Sequence, residues 1–230
     1  MAREALVIVG CGGLGREVLW AARRAQALTP DWTAELVGFT AEMAPEGGSV
    51  VDGLPFLGLL GPDLAAGCRT APTHYICAIG DNQARKRICA RMEALGLRPK
   101  SVLDPSVLIA PGVEVGPGTY VGAGSILSPS ANLGAHVVVN QGCTIGHDAT
   151  VGAFAQVCPG ARVSGWAIVG EGALLGSNAV VAPKVSVGAW SILAAASMAS
   201  RDLPAEVTAL GTPARIVFRK PLPPVSQEHL

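Results

Sequence analysis

His147 and Asp148 are the best-placed chemical pair in the chain. An imidazole beside a carboxylate can carry a proton near neutral pH, which is the work of a general base. Their setting makes the pair informative. From Leu103 to about Met198 an aliphatic residue returns at every sixth position: Leu103, Ile109, Val115, Val121 and onward to Val187 and Leu193. The residue that follows is mostly glycine or another small residue. His147 and Asp148 interrupt this pattern two and three places past Ile145, and one repeat earlier Asn140 stands where a turn glycine is expected. In so regular a sequence the exceptions mark candidate function. Spacing alone leaves two readings of His147, a catalytic base or an exposed corner histidine. The other histidine of the repeats, His136, reads as surface. A zinc site needs three or more ligands, and with only two histidines in the repeats no metal is expected.

A second candidate lies at the other end of the chain. Leu6–Val9 reads as a buried strand, Gly10, Gly12 and Gly15 as a tight GxGxxG turn, and Arg16–Ala27 as a helix. Such a turn brings backbone N–H groups and a helix N-terminus against a phosphate. The dinucleotide-binding version also needs an acidic residue at the end of the second strand. That strand, Glu35–Phe39, is followed by Thr40 and Ala41, with Glu42 one step further, so NAD binding is disfavoured. The remaining readings are a phosphate turn and glycines that only permit close packing.

These residues need elements to position them. A six-residue period belongs neither to a helix nor to an ordinary strand; it is the mark of a hexapeptide-repeat, left-handed parallel β-helix. Three hexads close a triangular coil, and about five coils stack at roughly 4.8 Å. The N-terminal region reads as an α/β domain, a small Rossmann-like parallel sheet that is incomplete beside a full dinucleotide fold. Its third strand, His74–Ile79, ends at Gly80-Asp81-Asn82. A helix over Gln83–Leu95 follows, with Asn82 as N-cap and Arg85, Lys86, Arg87 and Arg91 as a solvated face. The expected domains are 1–102, 103–198 and a capping tail over 199–230, with a disordered end past Lys220.

Composition narrows the function classes. The 17 basic and 17 acidic residues balance, which gives no electrostatic case for nucleic acid or an anionic membrane. Leu6–Val9 is too short to span a bilayer and lacks the flanks of a signal peptide, so a cytoplasmic location is expected. Six cysteines without CxxC spacing read as reduced thiols. Between Ile109 and Met198 the formal charges are Glu114, Asp148, Arg162, Glu171 and Lys184. A prism so poor in charge needs its flat faces covered, and a three-fold homotrimer is expected. Trp166 and Trp190 are candidate subunit contacts or local corner caps.

The segments VGCGGLGRE (9–17), AIGDNQARK (78–86), VNQGCTIGHDATVG (139–152), PGARVSG (159–165) and GTPAR (211–215) occur in collinear order. With them the chain resembles the sugar O- and N-acyltransferases of the sialic acid O-acetyltransferase and bacillosamine N-acetyltransferase type. The resemblance implies a trimer with acetyl-CoA in the groove between adjacent β-helices and a nucleotide-linked sugar on the N-terminal domain. It matches His147 to the general base, Asp148 to its acidic neighbour and Gly165 to a backbone donor for the developing oxyanion. Gly12, Gly13, Leu14, Thr40, Ala41, Gly80 and Asn140 fall on substrate-binding positions, and Gln156, Ser177 and Ala195 on positions lining acetyl-CoA. Leu14 and Gln156 stand where relatives often carry histidine, and Thr40 and Ala41 where they often carry aspartate. The implied activity is acetyl transfer to the amine of a nucleotide-linked 4-amino-6-deoxy sugar by direct attack. O-acetylation of a sialic acid or other sugar is the alternative enzyme, and a noncatalytic trimeric scaffold the alternative of a different class.

Overall fold

In the computed structural model the described residues are 4–45, 48–61, 64 and 72–219. The N-terminal domain is built on β1 (Glu4–Val9), whose last five residues are buried. Strands covered on both faces read as such continuous apolar runs. Around it lie β2 (Ala34–Ala41), β3 (Val50–Val51), β4 (Leu54–Leu59), β5 (His74–Cys77) and β6 (Arg98–Pro99), in the order β3-β4-β2-β1-β5-β6. All neighbours are parallel except β3 and β4. From β1 the chain passes first to β2 on one side and later to β5 on the other. The crevice at the carboxyl ends of β1 and β5 is therefore the topological switch point, where open α/β sheets hold ligands.

Helix α1 (Gly13–Leu28) begins three residues earlier than the sequence pattern predicts, because the glycine turn supplies its first turn. Helix α2 (Asn82–Ala94) is capped by Asp81 and not by Asn82: the Asp81 carboxylate accepts from the Ala84 N–H at 2.7 Å. The cationic face expected on α2 also needs correction. Arg85 is fully buried, while Lys86, Arg87 and Arg91 pair with Glu171, Glu42 and Glu42. Asn82, Arg85, Ile88, Cys89 and Met92 form the buried stripe of the helix. Two polar members at its start disguise an otherwise ordinary amphipathic pattern.

The solenoid runs from β7 (Val102–Leu103) to β23 (Met198–Ala199), one two-residue strand per hexad, between five and six coils of a left-handed parallel β-helix. The first face carries Tyr120–Val121, Val138–Val139, Gln156–Val157, Leu174–Leu175 and Ile192–Leu193. Thr144–Ile145, Arg162–Val163 and Val180–Val181 lie on the second face, and Thr150–Val151 and Ile168–Val169 on the third. The second residue of each strand points inward and is almost fully buried through most of the stack. The buried Thr119 and Ser125 hydroxyls bond between coils, Ser125 Oγ donating to the Asn140 carbonyl at 2.9 Å. Coil stacking explains the glycine after the aliphatic residue: a Cβ on Gly146 would lie 2.5 Å from the Gly165 nitrogen.

Above the last coil, β24 (Val207–Gly211) extends the first face in parallel with Ile192–Leu193, and β25 (Ala214–Arg219) folds back on it. Leu203, Val207 and Ala209 close the interior. The free end expected past Lys220 lies outside the described residues. The N-terminal domain docks on the first face and on the corner between the third and first faces. There Arg85 donates to the carbonyls of His136, Phe154 and Ala155, as well as to that of Ile79 in its own domain. His136, expected at the surface, is 4 % exposed and stacks between Tyr75 and Phe154. The α2 helix covers that corner, a tertiary event that spacing in the repeats does not encode.

Candidate active site

The corner between the second and third faces is a column of stacked turns: Pro111, Pro129, His147, Gly165 and Pro183 occupy its first position. His147 thus replaces a proline, and Gly165 directly above it leaves the room its ring needs. A Cβ on Gly165 would sit 2.4 Å from His147 Nε2, so the imidazole lies flat over that glycine. Asp148, in the second position, adopts a left-handed backbone (φ +59) that aspartate tolerates better than most residues. Its Oδ2 lies 2.9 Å from His147 Nδ1, which orients the ring and leaves Nε2 outside that bond, on the Gly165 side. The His147 side chain is 58 % exposed, and Trp166 meets it edge-on at 6.3 Å. An oriented, solvent-accessible imidazole of this kind can accept a proton from an incoming nucleophile.

The corner between the first and second faces carries a second set. Ser177 and Ala195 stack one coil apart, with the Ala196 N–H donating to the Ser177 carbonyl at 2.8 Å. Below them Asn140, 6 % exposed, donates to Glu17 of α1 and accepts from Gln156, both at 3.4 Å. Gln156 is held in this seam, with Oε1 buried and unpartnered. Tyr120, whose hydroxyl is also buried without a partner, sits near Glu17, and burial pushes its pKa above the ordinary tyrosine value. Glu17 was not among the sequence candidates. Its place in the helix just after the glycine turn was the available signal.

The glycine turn itself divides into two kinds of residue. A Cβ on Gly10 would meet the Ala78 carbonyl oxygen at 2.7 Å, and one on Gly15 the Gly10 carbonyl oxygen at 2.0 Å; these two permit packing. Gly12, Gly13 and Gly80 face open space, and Leu14 packs into the domain core. The N-terminus of α1 has no side-chain cap and no acidic residue in its first turn, so its free N–H groups suit an anion. At the end of β2 the side chains expected to contact substrate are turned inward. Thr40 is fully buried and its hydroxyl is spent on the Gly58 carbonyl at 2.9 Å, and Ala41 is 8 % exposed. Neither offers a polar side-chain atom to a ligand.

Within one chain the candidate residues therefore form three groups: His147, Asp148 and Gly165 on one corner; Asn140, Gln156, Ser177 and Ala195 toward another; and the open glycines at the sheet's carboxyl edge. The second face of the prism separates the first two. Among the described residues no group of three or more His, Cys, Asp or Glu side chains is placed to hold a metal ion, and no helix is long and apolar enough to cross a membrane.

Residues 5–92 match the family described as the PglD N-terminal domain. No curated protein matches the chain. Among solved structures, the chain is similar to the acetyltransferase domain of PglB from Neisseria gonorrhoeae in complex with acetyl coenzyme A, at 26 % identity and TM-score 0.82, covering 94 % of this chain and 100 % of that one. It is also similar to PerB from Caulobacter crescentus in complex with CoA and GDP-perosamine, at 29 % identity and TM-score 0.83, covering 94 % and 98 %. A histidine-to-asparagine mutant of the Caulobacter perosamine N-acetyltransferase, also with CoA and GDP-perosamine, matches at 28 % identity and TM-score 0.83, covering 94 % and 97 %.

Proposed function

We propose, from this chain's likeness to solved acetyl-CoA-dependent sugar acetyltransferases, that it moves the acetyl group of acetyl-CoA to the amine of a nucleotide-linked amino sugar of the 4-amino-6-deoxy type. The observation that carries the reading is the His147–Asp148 pair, oriented at 2.9 Å and open to solvent beside Gly165. In this mechanism the sugar amine attacks the thioester carbonyl, His147 Nε2 takes the amine proton, and the CoA thiolate leaves. Asp148 holds the ring in place, and the Gly165 N–H faces the oxygen on which charge develops. The uncapped N-terminus of α1, with Gly12 and Gly13, receives the pyrophosphate of the substrate.

The reading requires a homotrimer. His147 and Gly165 stand at one edge of the second face, while Ser177, Ala195 and the docked N-terminal domain stand at the other side. A neighbouring copy that brings its His147 corner against this side completes the set. Exposed Leu108, Ile126, Ile168 and Trp166 on these faces and corners supply apolar area for such packing. The test is a screen of nucleotide-linked amino sugars with acetyl-CoA, following free thiol. Release with amines and not with hydroxyl acceptors is expected. Release only with sialic acid or another sugar hydroxyl would make the protein an O-acetyltransferase, and no release with any acceptor would return it to a scaffold.

A further inference from the structure

We infer that Cys77 and Cys89 are a peroxide-oxidised thiol pair, with His136 as its proton carrier, at the joint of β5, α2 and the solenoid. The inference is independent of the acetyl-transfer reading, which uses none of these side chains. Cys77 closes β5 and Cys89 lies on the buried stripe of α2; they are 2 % and 1 % exposed. Their sulfurs are hydrogen-bonded to each other. Cys89 Sγ also lies 3.4 Å from His136 Nδ1, and Glu93 Oε1 lies 3.5 Å from His136 Nε2. A neutral imidazole donates from one nitrogen only, so this ring serves both neighbours when it holds the Cys89 proton and leaves a thiolate behind. Stacking between Tyr75 and Phe154 fixes the ring in that position.

The surroundings favour the thiolate. Buried Arg85 donates to carbonyl oxygens, and the negative charge that can answer it comes from Cys77, Cys89 and Asp81, of which Asp81 is already the α2 cap. The bond from Cys77, and after it that from His136, holds the Cys89 thiol below its ordinary range against burial; the same Cys77–Cys89 bond, with burial, pushes the Cys77 thiol up. Cys89 is therefore the nucleophile and Cys77 the resolving thiol. Glu93 is half exposed and accepts from the Tyr75 hydroxyl at 3.1 Å, so the cluster ends one side chain from solvent, a short path for hydrogen peroxide. The Cys89 thiolate attacks one peroxide oxygen, the O–O bond breaks, and the departing hydroxide takes the His136 proton and leaves as water. The Cys77 sulfur then attacks the sulfenic sulfur, the S–O bond breaks, and the second hydroxide leaves with the Cys77 proton. Two thiols are oxidised and one peroxide is reduced to two waters. The disulfide staples α2 to β5 and takes the Cys89 sulfur off His136.

The experiment treats the full chain with graded hydrogen peroxide, alkylates the remaining thiols and reads intact and peptide masses. A loss of about 2 Da with residues 77 and 89 linked is expected, while Cys11, Cys143 and Cys158 still alkylate, although Cys11 is the more exposed. Cys77→Ala should stop at a Cys89 sulfenic acid that dimedone traps, and Cys89→Ala should leave Cys77 reduced. His136→Phe keeps an aromatic ring in the stack and removes both nitrogens; with its fold verified by circular dichroism, oxidation of the pair should slow about tenfold or more. Oxidation of Cys11 ahead of the pair, or an unchanged rate in folded His136→Phe, would overturn the inference. Should His136→Phe not fold, the Cys77→Ala trap decides, and no dimedone adduct at Cys89 would overturn it equally.

Discussion

The two histidines of the β-helix occupy comparable turns and have opposite fates. His136 takes the second position of its corner with φ +57, and Tyr75, Phe154 and the Arg85 guanidinium enclose it. His147 takes the first position of its own corner, faces solvent and is gripped by one carboxylate. What differs is the covering: α2 lies over the first corner, and among the described residues no helix lies over the second, where the His147 side chain is 58 % exposed. A repeat sequence shows where an exception occurs, but the element packed above decides whether that exception is structural or available for chemistry.

The largest expected effects separate the two directly. His147→Ala should lower turnover by about 10² or more while leaving the melting temperature and acetyl-CoA affinity nearly unchanged. His136→Ala should do the reverse, costing about 3 kcal/mol through the emptied space between two rings and leaving turnover per folded molecule nearly intact. Denaturant unfolding beside steady-state kinetics checks both, and equal loss of turnover in the two variants would break the comparison.

Arg85→Ala sharpens the structural side. Burial pulls the Arg85 pKa down, yet the guanidinium holds four carbonyls. Its removal takes the donor from the His136, Phe154 and Ile79 carbonyls, while that of Ala155 keeps the Val138 N–H, and should cost about 2–3 kcal/mol, read as a lower urea midpoint. On the catalytic side, Gly165→Ala should lower turnover about tenfold with little change in stability, because its Cβ would push the imidazole off Asp148. Asp148→Asn should have the smallest effect, a severalfold loss of turnover at constant acetyl-CoA affinity, since an amide can still hold the ring.

Much of this fold was legible in the residues. The six-residue period from Leu103 to Leu193 needs only the covalent rhythm of the chain, and the coils follow it throughout. Gly10 and Gly12 likewise announced the first strand, turn and helix. Arg85 and His136 were misread for one shared reason: each is polar and buried where α2 meets the solenoid, and local pattern assigns polar residues to water; Asn82, read as the N-cap, lies one place inside the Asp81 cap. Thr40 and Ala41 show the converse. A family position was carried over, but the strand end that should present it is closed by Gly58. The His147 pair was visible as an exception, whereas its proline column and the clearance over Gly165 emerged only when the coils were stacked.

The proposed active site is assembled from two chains, and a mixing experiment tests that assembly most directly. His147→Ala removes the base, and Gly13→Glu places a negative charge at the open end of α1, where a Cβ meets no neighbour. Each variant alone should release almost no thiol from acetyl-CoA with the amino-sugar substrate. Trimers reassembled from both should regain a substantial fraction of wild-type turnover, because some interfaces pair an intact base with an intact glycine turn. Mixed trimers that form and stay as inactive as either parent would contradict the assembly of the site across the subunit boundary.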